Sequence, residues 1–380
     1  GKWVFPYLFF VCLAALIGAA LNLQKKFAST ALAQIWVNLT MALALVIGIW
    51  MAPDDMTRMM WLCGGVLVGG ALQLILPGYA LTREGWKPKW DTGSDKDKLG
   101  EMWGMFGPGL LGATVAQIDT AVSQLLAFGL NDAATSVLFL SNRLMQLPLG
   151  VFAIAVTTVT FPMIARKAAE GDKEGFALAY RDSSTLIQAV MIPAGVGLAL
   201  LAEPILVSFF KWGSFDANSV RQTVPILITY ALGIPFFAGL TLTTRALHSL
   251  KDMKTPVKWG IVTLTTNLIL SLILKEIWGT FGLALSNILS TALFAWGLRQ
   301  SLKKKVKEVR AVHSPVLKLM GAAALMVAVV LPLLYVFPHD KMGRFLTMMV
   351  GAPLGVMAYA VGLYFLSRES FLGLKKLVWK

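Results

Sequence analysis

Eleven stretches of about twenty mostly apolar residues follow one another along this chain, each long enough to cross a lipid bilayer as a helix. Only 14% of the residues are charged and the mean hydropathy is +0.69, whereas soluble domains carry roughly 25% charged residues. A membrane barrel would show short alternating segments instead. The pattern predicts an all-α polytopic membrane protein. The stretches lie near residues 3–23, 30–51, 60–81, 102–128, 134–162, 184–202, 221–249, 256–276, 280–301, 316–336 and 345–367.

The longest connection, residues 81–100, divides the chain unequally. It predicts a first segment, 1–100, made of three helices and a basic linker. A six-helix segment, 101–310, follows, and 311–380 holds the last two helices. The polar stretch Glu203–Val220 is too short to span, and its aromatic residues predict an interfacial helix and loop.

Lysine and arginine are distributed asymmetrically over the connections. One alternating set of connections and the C-terminus carries 24 of these residues, and the opposite set carries seven. Cytoplasmic loops carry the excess in membrane proteins, so we expect the C-terminus inside and residue 1 outside. An N-terminus on the outer side without a signal peptide indicates that these residues are a piece of a longer protein. We therefore expect an odd number of further helices upstream. The net charge of +14 therefore reflects topology and attraction to anionic phospholipids rather than nucleic-acid binding.

Two ionisable residues fall deep inside predicted spans, where charge is costly and marks functional candidates. Asp119 and Arg143 lie on consecutive antiparallel helices, both roughly 13 Å below the outer surface. They are candidate charge partners in a structural ion pair. Alternatively, Arg143 forms a cationic site that Asp119 tunes, and its guanidinium suits a phosphate or carboxylate ligand. Arg245 lies near an inner helix end, where its side chain can snorkel.

Polar and helix-breaking residues mark further positions within the spans. Asn267 and Asn287 predict interhelical hydrogen bonds, with ion coordination as the alternative. Prolines inside spans kink helices, either as static bends or as hinges beside a cavity. The hinge candidates are Pro108, Gly109, Pro148 and Gly150, and Pro193 and Pro235 are further kinks.

No catalytic constellation or metal-ligand cluster occurs in the sequence. The cysteines Cys12 and Cys63 lie in apolar runs, and the three histidines are scattered. A Walker motif is also absent from these 380 residues. The pattern therefore predicts a membrane transporter rather than an enzyme, without a cofactor and driven by an ion gradient, the membrane potential or a substrate gradient.

Six segments share one order and spacing with a known family. They are Phe5–Tyr7, Gln117–Asp119, Ser141–Phe152, Phe161–Pro162, Lys211–Phe215 and Lys254–Lys258. Together they resemble the MurJ/MviN family of lipid II flippases, and the similarity runs from the first residues to at least Arg299.

The resemblance implies a fold with fourteen helices. Two six-helix lobes of the multidrug and polysaccharide exporter (MATE-like, MOP superfamily) type would precede two C-terminal helices that line a groove for a lipid tail. The eleven predicted spans would be helices four to fourteen. The implied activity is flipping lipid II, an undecaprenyl-pyrophosphate-linked disaccharide-pentapeptide, across the bacterial inner membrane for peptidoglycan synthesis, by a monomer. An exporter of drugs or polysaccharides is the alternative.

The resemblance also implies roles for individual residues. Arg143 matches the family's eighth-helix arginine and would contact the pyrophosphate. Members proposed to bind sodium carry acidic ligands at the positions of Ser123 and Ser271, with an asparagine at Asn267. The serines here weaken such a sodium site unless Asp119 reaches the same cavity. Coupling to Na⁺ or to the membrane potential therefore stays open.

Overall fold

The computed structural model describes residues 3–24, 26–86, 107, 110, 114, 117–130, 132–311 and 315–378. Within these ranges every regular element is helical and no strand occurs. The chain forms two compact units, residues 1–95 and residues 96–380. The hinge candidates Pro108 and Gly109, and most of the predicted basic linker, lie outside the described residues.

The first unit consists of three helices: α1 (Pro6–Leu23), α2 (Phe27–Met51) and α3 (Asp55–Arg83). Proline in the first turn of α1 costs little, because that backbone position has no helical hydrogen-bond acceptor. The side chain of Asp54 caps α3 by accepting a hydrogen bond of 3.0 Å from the backbone N–H of Thr57.

Glycines allow α3 to approach α2 closely. A Cβ atom on Gly65 would lie 2.8 Å from the carbonyl oxygen of Thr40, and one on Gly69 would lie 2.8 Å from the Cα of Val37. Contacts this short leave no room for any larger side chain. The two helices therefore pack backbone against backbone, as small residues allow in membrane proteins.

The second unit is built around two long helices. A core of large buried side chains lies between them, including Phe176 and Ile187 of the first and Ile234 and Leu242 of the second. Its helices are α4 (residues 117–128), α5 (Asp132–Pro148), α6 (Ile154–Ala169), α7 (Lys173–Leu200), α8 (Ala202–Phe209), α9 (Ala217–Ser249), α10 (Lys254–Lys305), α11 (Val316–Val336), α12 (Lys341–Leu366) and α13 (Arg368–Val378). The two central helices are α7 and α9.

Helix α10 is a hairpin rather than one continuous rod. Gly279 has φ 56° and ψ −130°, a conformation that only glycine adopts without strain. Trp259 Nε1 donates a hydrogen bond of 2.9 Å to Ser301 Oγ, although a straight helix would place these residues about 63 Å apart. Two arms therefore lie side by side: α10a (residues 254–278) and α10b (residues 280–305).

A proline in α7 leaves one backbone carbonyl without its helical hydrogen-bond donor, and a side chain of α12 supplies a donor instead. Pro193 has no N–H to donate to the carbonyl of Ala189, four residues earlier. The hydroxyl of Tyr359 on α12 donates to that oxygen instead, at 2.8 Å, and the phenol is buried. An unsatisfied carbonyl is costly in a membrane, so this bond explains why α12 docks on α7 here.

The predicted spans correspond to helices wherever the structure describes them. Eight helices in the described part of the chain are long and apolar enough to cross a membrane, and α1 is a shorter apolar helix. One of the eight is the α10 hairpin, which contains two predicted spans. The prediction of an all-α membrane protein is confirmed.

The helix and loop predicted over Glu203–Val220 are present in part. The structure has the short helix α8 and then a turn, but α9 already begins at Ala217. Leu206 and Val207 of α8 are buried in a cluster with residues of α9, whereas Phe209 and Trp212 are exposed. The interfacial position of this segment stays a prediction.

The hinge candidates Pro148 and Gly150 lie at a change of helix type. Pro148 ends α5, and a π-helical segment, Leu149–Ala153, joins it to α6. A π-helical turn is a common consequence of a missing helix hydrogen bond and is frequent at functional sites. A Cβ atom on Gly150 would meet no atom within 4 Å, so packing does not require glycine there.

The two ends of the α10 hairpin are tied by Asp252. Its side chain accepts a hydrogen bond of 3.0 Å from the Thr255 N–H and pairs with Lys305 Nζ at 2.7 Å. Burial acts to raise the pKa of Asp252, but the bonds from Lys305 and Thr255 outweigh it and hold that pKa below its ordinary value. The carboxylate therefore stabilises the fold in its charged form.

We expect Tyr359→Phe to lower the free energy of unfolding by about 1 kcal/mol, because it leaves the Ala189 carbonyl without a donor. Tyr364→Phe is the matched control, since Tyr364 is half exposed and makes no side-chain hydrogen bond in the described part of the chain. Unfolding in detergent would measure both variants. Equal losses would contradict the role assigned to the Tyr359 hydroxyl.

We expect Asp252→Asn to cost about 1 kcal/mol at neutral pH, a modest value because Lys305 is partly solvated. The folded-state pKa is lowered, so this contribution is complete above the unfolded pKa of about 4 and is lost progressively as the pH falls from there through the folded-state pKa. Asp216→Asn is the control, since Asp216 caps α9 and asparagine caps equally well. Melting curves between pH 3 and pH 7 test this, and a variant difference that does not shrink as the pH falls would refute it.

Candidate functional site

A cavity of about 830 Å³ lies within the second unit, among α4, α5, α9 and the two arms of α10. Its polar lining comes from residues that are far apart in sequence but meet at this point. The polar side chains are those of Asp119, Thr120, Ser123, Gln124, Thr135, Asn142, Gln146, Tyr230, Thr241, Thr244, Arg245, His248, Thr263, Asn287 and Thr291. A cavity with this lining can solvate a polar group of a ligand inside the membrane.

Asp119 joins α4 to α10a through a buried asparagine. Asn267 Nδ2 donates to Asp119 Oδ1 at 2.7 Å and lies 3.4 Å from Ser123 Oγ. Ser271 Oγ donates to Asn267 Oδ1 at 3.4 Å. Asn267 and Ser271 are each only 2% exposed. We call these four residues the Asp119 cluster, and it brings together the positions predicted as an ion site except Asn287.

The predicted pairing of Asp119 with Arg143 does not occur in the structure. Arg143 is exposed and lies over the ring of Phe139, one turn earlier on α5, with 5.0 Å between guanidinium carbon and ring centroid. Their equal depth stays a prediction, but the two side chains do not meet. Asp119 takes its hydrogen bond from α10a, and Arg143 has no carboxylate partner among the described residues.

The Asp119 cluster forms a hydrogen-bond network in the structure. One carboxylate, one amide and two hydroxyls are oxygen donors that a hard cation accepts. Asn267 directs its N–H₂ group toward Asp119 and Ser123. The ion site at these positions stays a prediction. Among the described residues no group of three or more His, Cys, Asp or Glu side chains suits a metal.

Asn287 lines the same cavity from α10b but stands apart from the cluster. Its side chain makes no hydrogen bond in the described part of the chain, so the prediction of interhelical bonding holds for Asn267 and not for Asn287. The two asparagines looked alike in sequence because both lie mid-span.

Some cavity residues were missed or placed differently by the sequence prediction. Arg245, expected to snorkel, lines the cavity together with His248 one turn later on α9. Gln146 donates to Asn142 at 2.5 Å on the face of α5 that borders the cavity. Helical spacing places each pair on one face, and this spacing was the signal that would have found them.

The chain matches known proteins over most of its length. A family model described as lipid II flippase MurJ matches residues 2–352. A probable lipid II flippase MurJ of Vibrio cholerae is 32% identical over 297 residues, covering 77% of this chain and 55% of that protein. A probable lipid II flippase MurJ of Haemophilus influenzae is 31% identical over 314 residues, covering 80% of this chain and 60% of that protein. The chain thus spans between 55% and 60% of the length of these two relatives.

Solved structures show the same fold. A lipid II flippase MurJ in an inward closed conformation matches with a TM-score of 0.76 and 23% identity, over 95% of this chain and 73% of that one. A MATE transporter of Vibrio cholerae matches with a TM-score of 0.54 and 13% identity, over 79% of this chain and 69% of that one. At these identities the likeness concerns the fold alone.

We expect Asn267→Ala to lower the free energy of unfolding by about 1.5–3 kcal/mol, because it removes a buried hydrogen bond to a carboxylate. Asn287→Ala, the matched control at a similar depth, should cost less than about 1 kcal/mol. Thermal unfolding of the two variants in one detergent makes the comparison. Equal destabilisation would show that the Asp119 cluster does not hold α4 against α10a.

Proposed function

Because this chain belongs to the MurJ family of lipid II flippases, we propose that it moves lipid II across the inner membrane by alternating access. The family match over residues 2–352 supports the activity. The chain spans only part of the length of its relatives, so the activity is proposed for the protein of which these residues form the described part.

The proposed topology has eleven spans. These are α1, α2, α3, the region ending in α4, the α5–α6 helix, α7, α9, α10a, α10b, α11 and α12. They would be the last eleven of fourteen helices, in two MATE-like lobes followed by two additional helices. The excess of lysine and arginine supports a cytoplasmic C-terminus.

Arg143 is the proposed contact for the pyrophosphate of the substrate. The observation that carries this proposal is its exposed guanidinium, which lies over Phe139 and has no carboxylate partner in the described residues. A charge that no protein group neutralises is available to an anion. The planar fork of arginine matches two phosphate oxygens at once, whereas lysine would offer one point charge.

The position of Asp119 supports this proposal, because Asp119 does not pair with Arg143. Its hydrogen bond to Asn267 keeps it on the α10a side of the cavity, so it does not neutralise Arg143. A carboxylate close to the arginine would compete with the pyrophosphate.

The hinge is proposed at the junction of α5 and α6. Arg143 lies one turn before Pro148, so a bend at the π-helical segment Leu149–Ala153 would reorient its helix relative to α6. Interrupted helices beside a cavity are the usual moving parts of alternating access. Gly150 has open space around it, which leaves the bend unobstructed.

The experiment is complementation of cells depleted of their own lipid II flippase. We expect Arg143→Ala in the intact gene to abolish growth, and Arg143→Lys to restore it poorly because lysine cannot bind bidentately. Arg181→Gln is the matched control, since Arg181 pairs with Asp182 at the helix surface, and it should complement normally.

Each variant must be present in the membrane at the wild-type level, which immunoblotting of membrane fractions establishes. Normal growth with a well-expressed Arg143→Ala protein would refute the pyrophosphate role. Failure of the wild-type gene to complement would refute the proposed function itself.

A further inference from the structure

The turn between α11 and α12 is held by one buried arginine. Arg344, in the first turn of α12, is only 4% exposed. Its Nη1 donates to the carbonyl of Leu334 on α11 at 3.1 Å, and its Nη2 donates to Glu203 Oε1 on α8 at 2.8 Å. Nη2 also contacts His339 Nδ1 in the turn itself. We call Arg344, Glu203 and His339 the Arg344 cluster, and it links α8 to the α11–α12 turn.

The contact between Arg344 and His339 defines the charge that the imidazole carries. A guanidinium has only N–H donors, so His339 Nδ1 is the acceptor and holds no proton. The neutral ring then keeps its single proton on Nε2. A charged ring would turn an N–H group toward the N–H of Arg344 and would place two cations side by side. The cluster as observed therefore requires a neutral His339.

The charged groups around the turn do not compensate a second cation. In the described part of the chain no carboxylate oxygen lies within 4 Å of a His339 ring nitrogen. Glu203 is half exposed and pairs with Arg344, and Asp340 caps α12 through a backbone N–H at 2.8 Å. Lys341 adds a further positive charge, with its Nζ 4.2 Å from the ring centroid of Trp212. The other charged residues of the turn that carries this tryptophan are Lys211 and Asp216, and the latter caps α9.

His339 is open to protons from water. Its side chain is exposed, although the arginine that it contacts is buried. Histidine is the side chain whose charge ordinarily changes between about pH 5 and pH 8. A change of pH can therefore act on the contact directly, without prior opening of the structure. In the proposed topology this turn lies on the outer side of the membrane.

We propose that the Arg344 cluster is a proton-sensitive latch that fastens the α11–α12 turn to α8. With His339 neutral, its Nδ1 shares the Nη2 group of Arg344 with Glu203, and the turn is closed. A proton from water that binds Nδ1 removes the acceptor, so His339 leaves Arg344 and the turn loosens. The ion pair between Arg344 and Glu203 remains. The contact thus stabilises the turn above the titration range of the histidine and is lost as the pH falls through it. The latch does not depend on the proposed transport activity.

The experiment is hydrogen–deuterium exchange of the intact protein in detergent, at about pH 7.5 and about pH 5.5, on either side of the ordinary histidine titration. Wild type and His339→Gln are compared at the same pH, because the intrinsic exchange rate itself depends on pH. The amide oxygen of glutamine accepts a hydrogen bond at either pH. We expect equal exchange over residues 334–345 at the higher pH. At the lower pH the wild type should exchange about threefold faster there, the scale of one lost hydrogen bond.

Two comparisons separate the latch from general loosening in acid. The inner half of α12, residues 354–366, should exchange alike in the wild type and His339→Gln at each pH. His339→Lys carries a fixed positive charge at an exposed position, so it should exchange rapidly over residues 334–345 at both pH values. The proposal is wrong if the wild type at the lower pH exchanges as slowly as His339→Gln, or more slowly. It is equally wrong if His339→Lys behaves like His339→Gln.

Discussion

Backbone groups inside a bilayer must find hydrogen-bond partners within the protein, and the second unit is organised by this requirement. The prolines that bend its helices each remove one donor. In α7, Pro193 leaves the carbonyl of Ala189 open, and Tyr359 of α12 closes it from a distance of 170 residues in sequence. The bend in α7 thereby also provides a contact for a later helix. Gln188 of α7 adds a link within the unit, because its side chain donates to the carbonyl of Pro235 on α9.

The charged residues of the second unit differ in whether the protein itself supplies a partner. Asp119 is engaged by Asn267, whereas Arg143 has no carboxylate partner among the described residues. A half-buried acid satisfied by a neutral amide stabilises a helix contact without consuming a positive charge. In the proposed function, Arg143 is consequently left for an anionic group of the substrate.

Much of this fold was predictable because a span is a local property. Twenty apolar residues predict a helix wherever they occur, and the hairpin of α10 was visible as two runs on either side of Gly279. The side-chain contacts were less accessible. Depth along a helix follows from counting residues, so the sequence alone predicts a common depth for Asp119 and Arg143. The direction in which each side chain leaves its helix depends on neighbouring helices, and the prediction of their pairing failed on that point. For the same reason the sequence did not distinguish Asn267, which bonds a neighbouring helix, from Asn287, whose side chain makes no hydrogen bond in the described part of the chain.

Helix α10 also constrains how the protein enters the membrane. Its two arms are joined at Gly279 by a turn with almost no loop, and Lys275 and Glu276 lie just before it. Neither arm can remain in water while the other inserts into the membrane, because almost no loop connects them. In the proposed topology the hairpin therefore inserts as one unit and carries both charged residues across together. The ion pair between Asp252 and Lys305 joins the opposite ends, which lie on the cytoplasmic side in that topology.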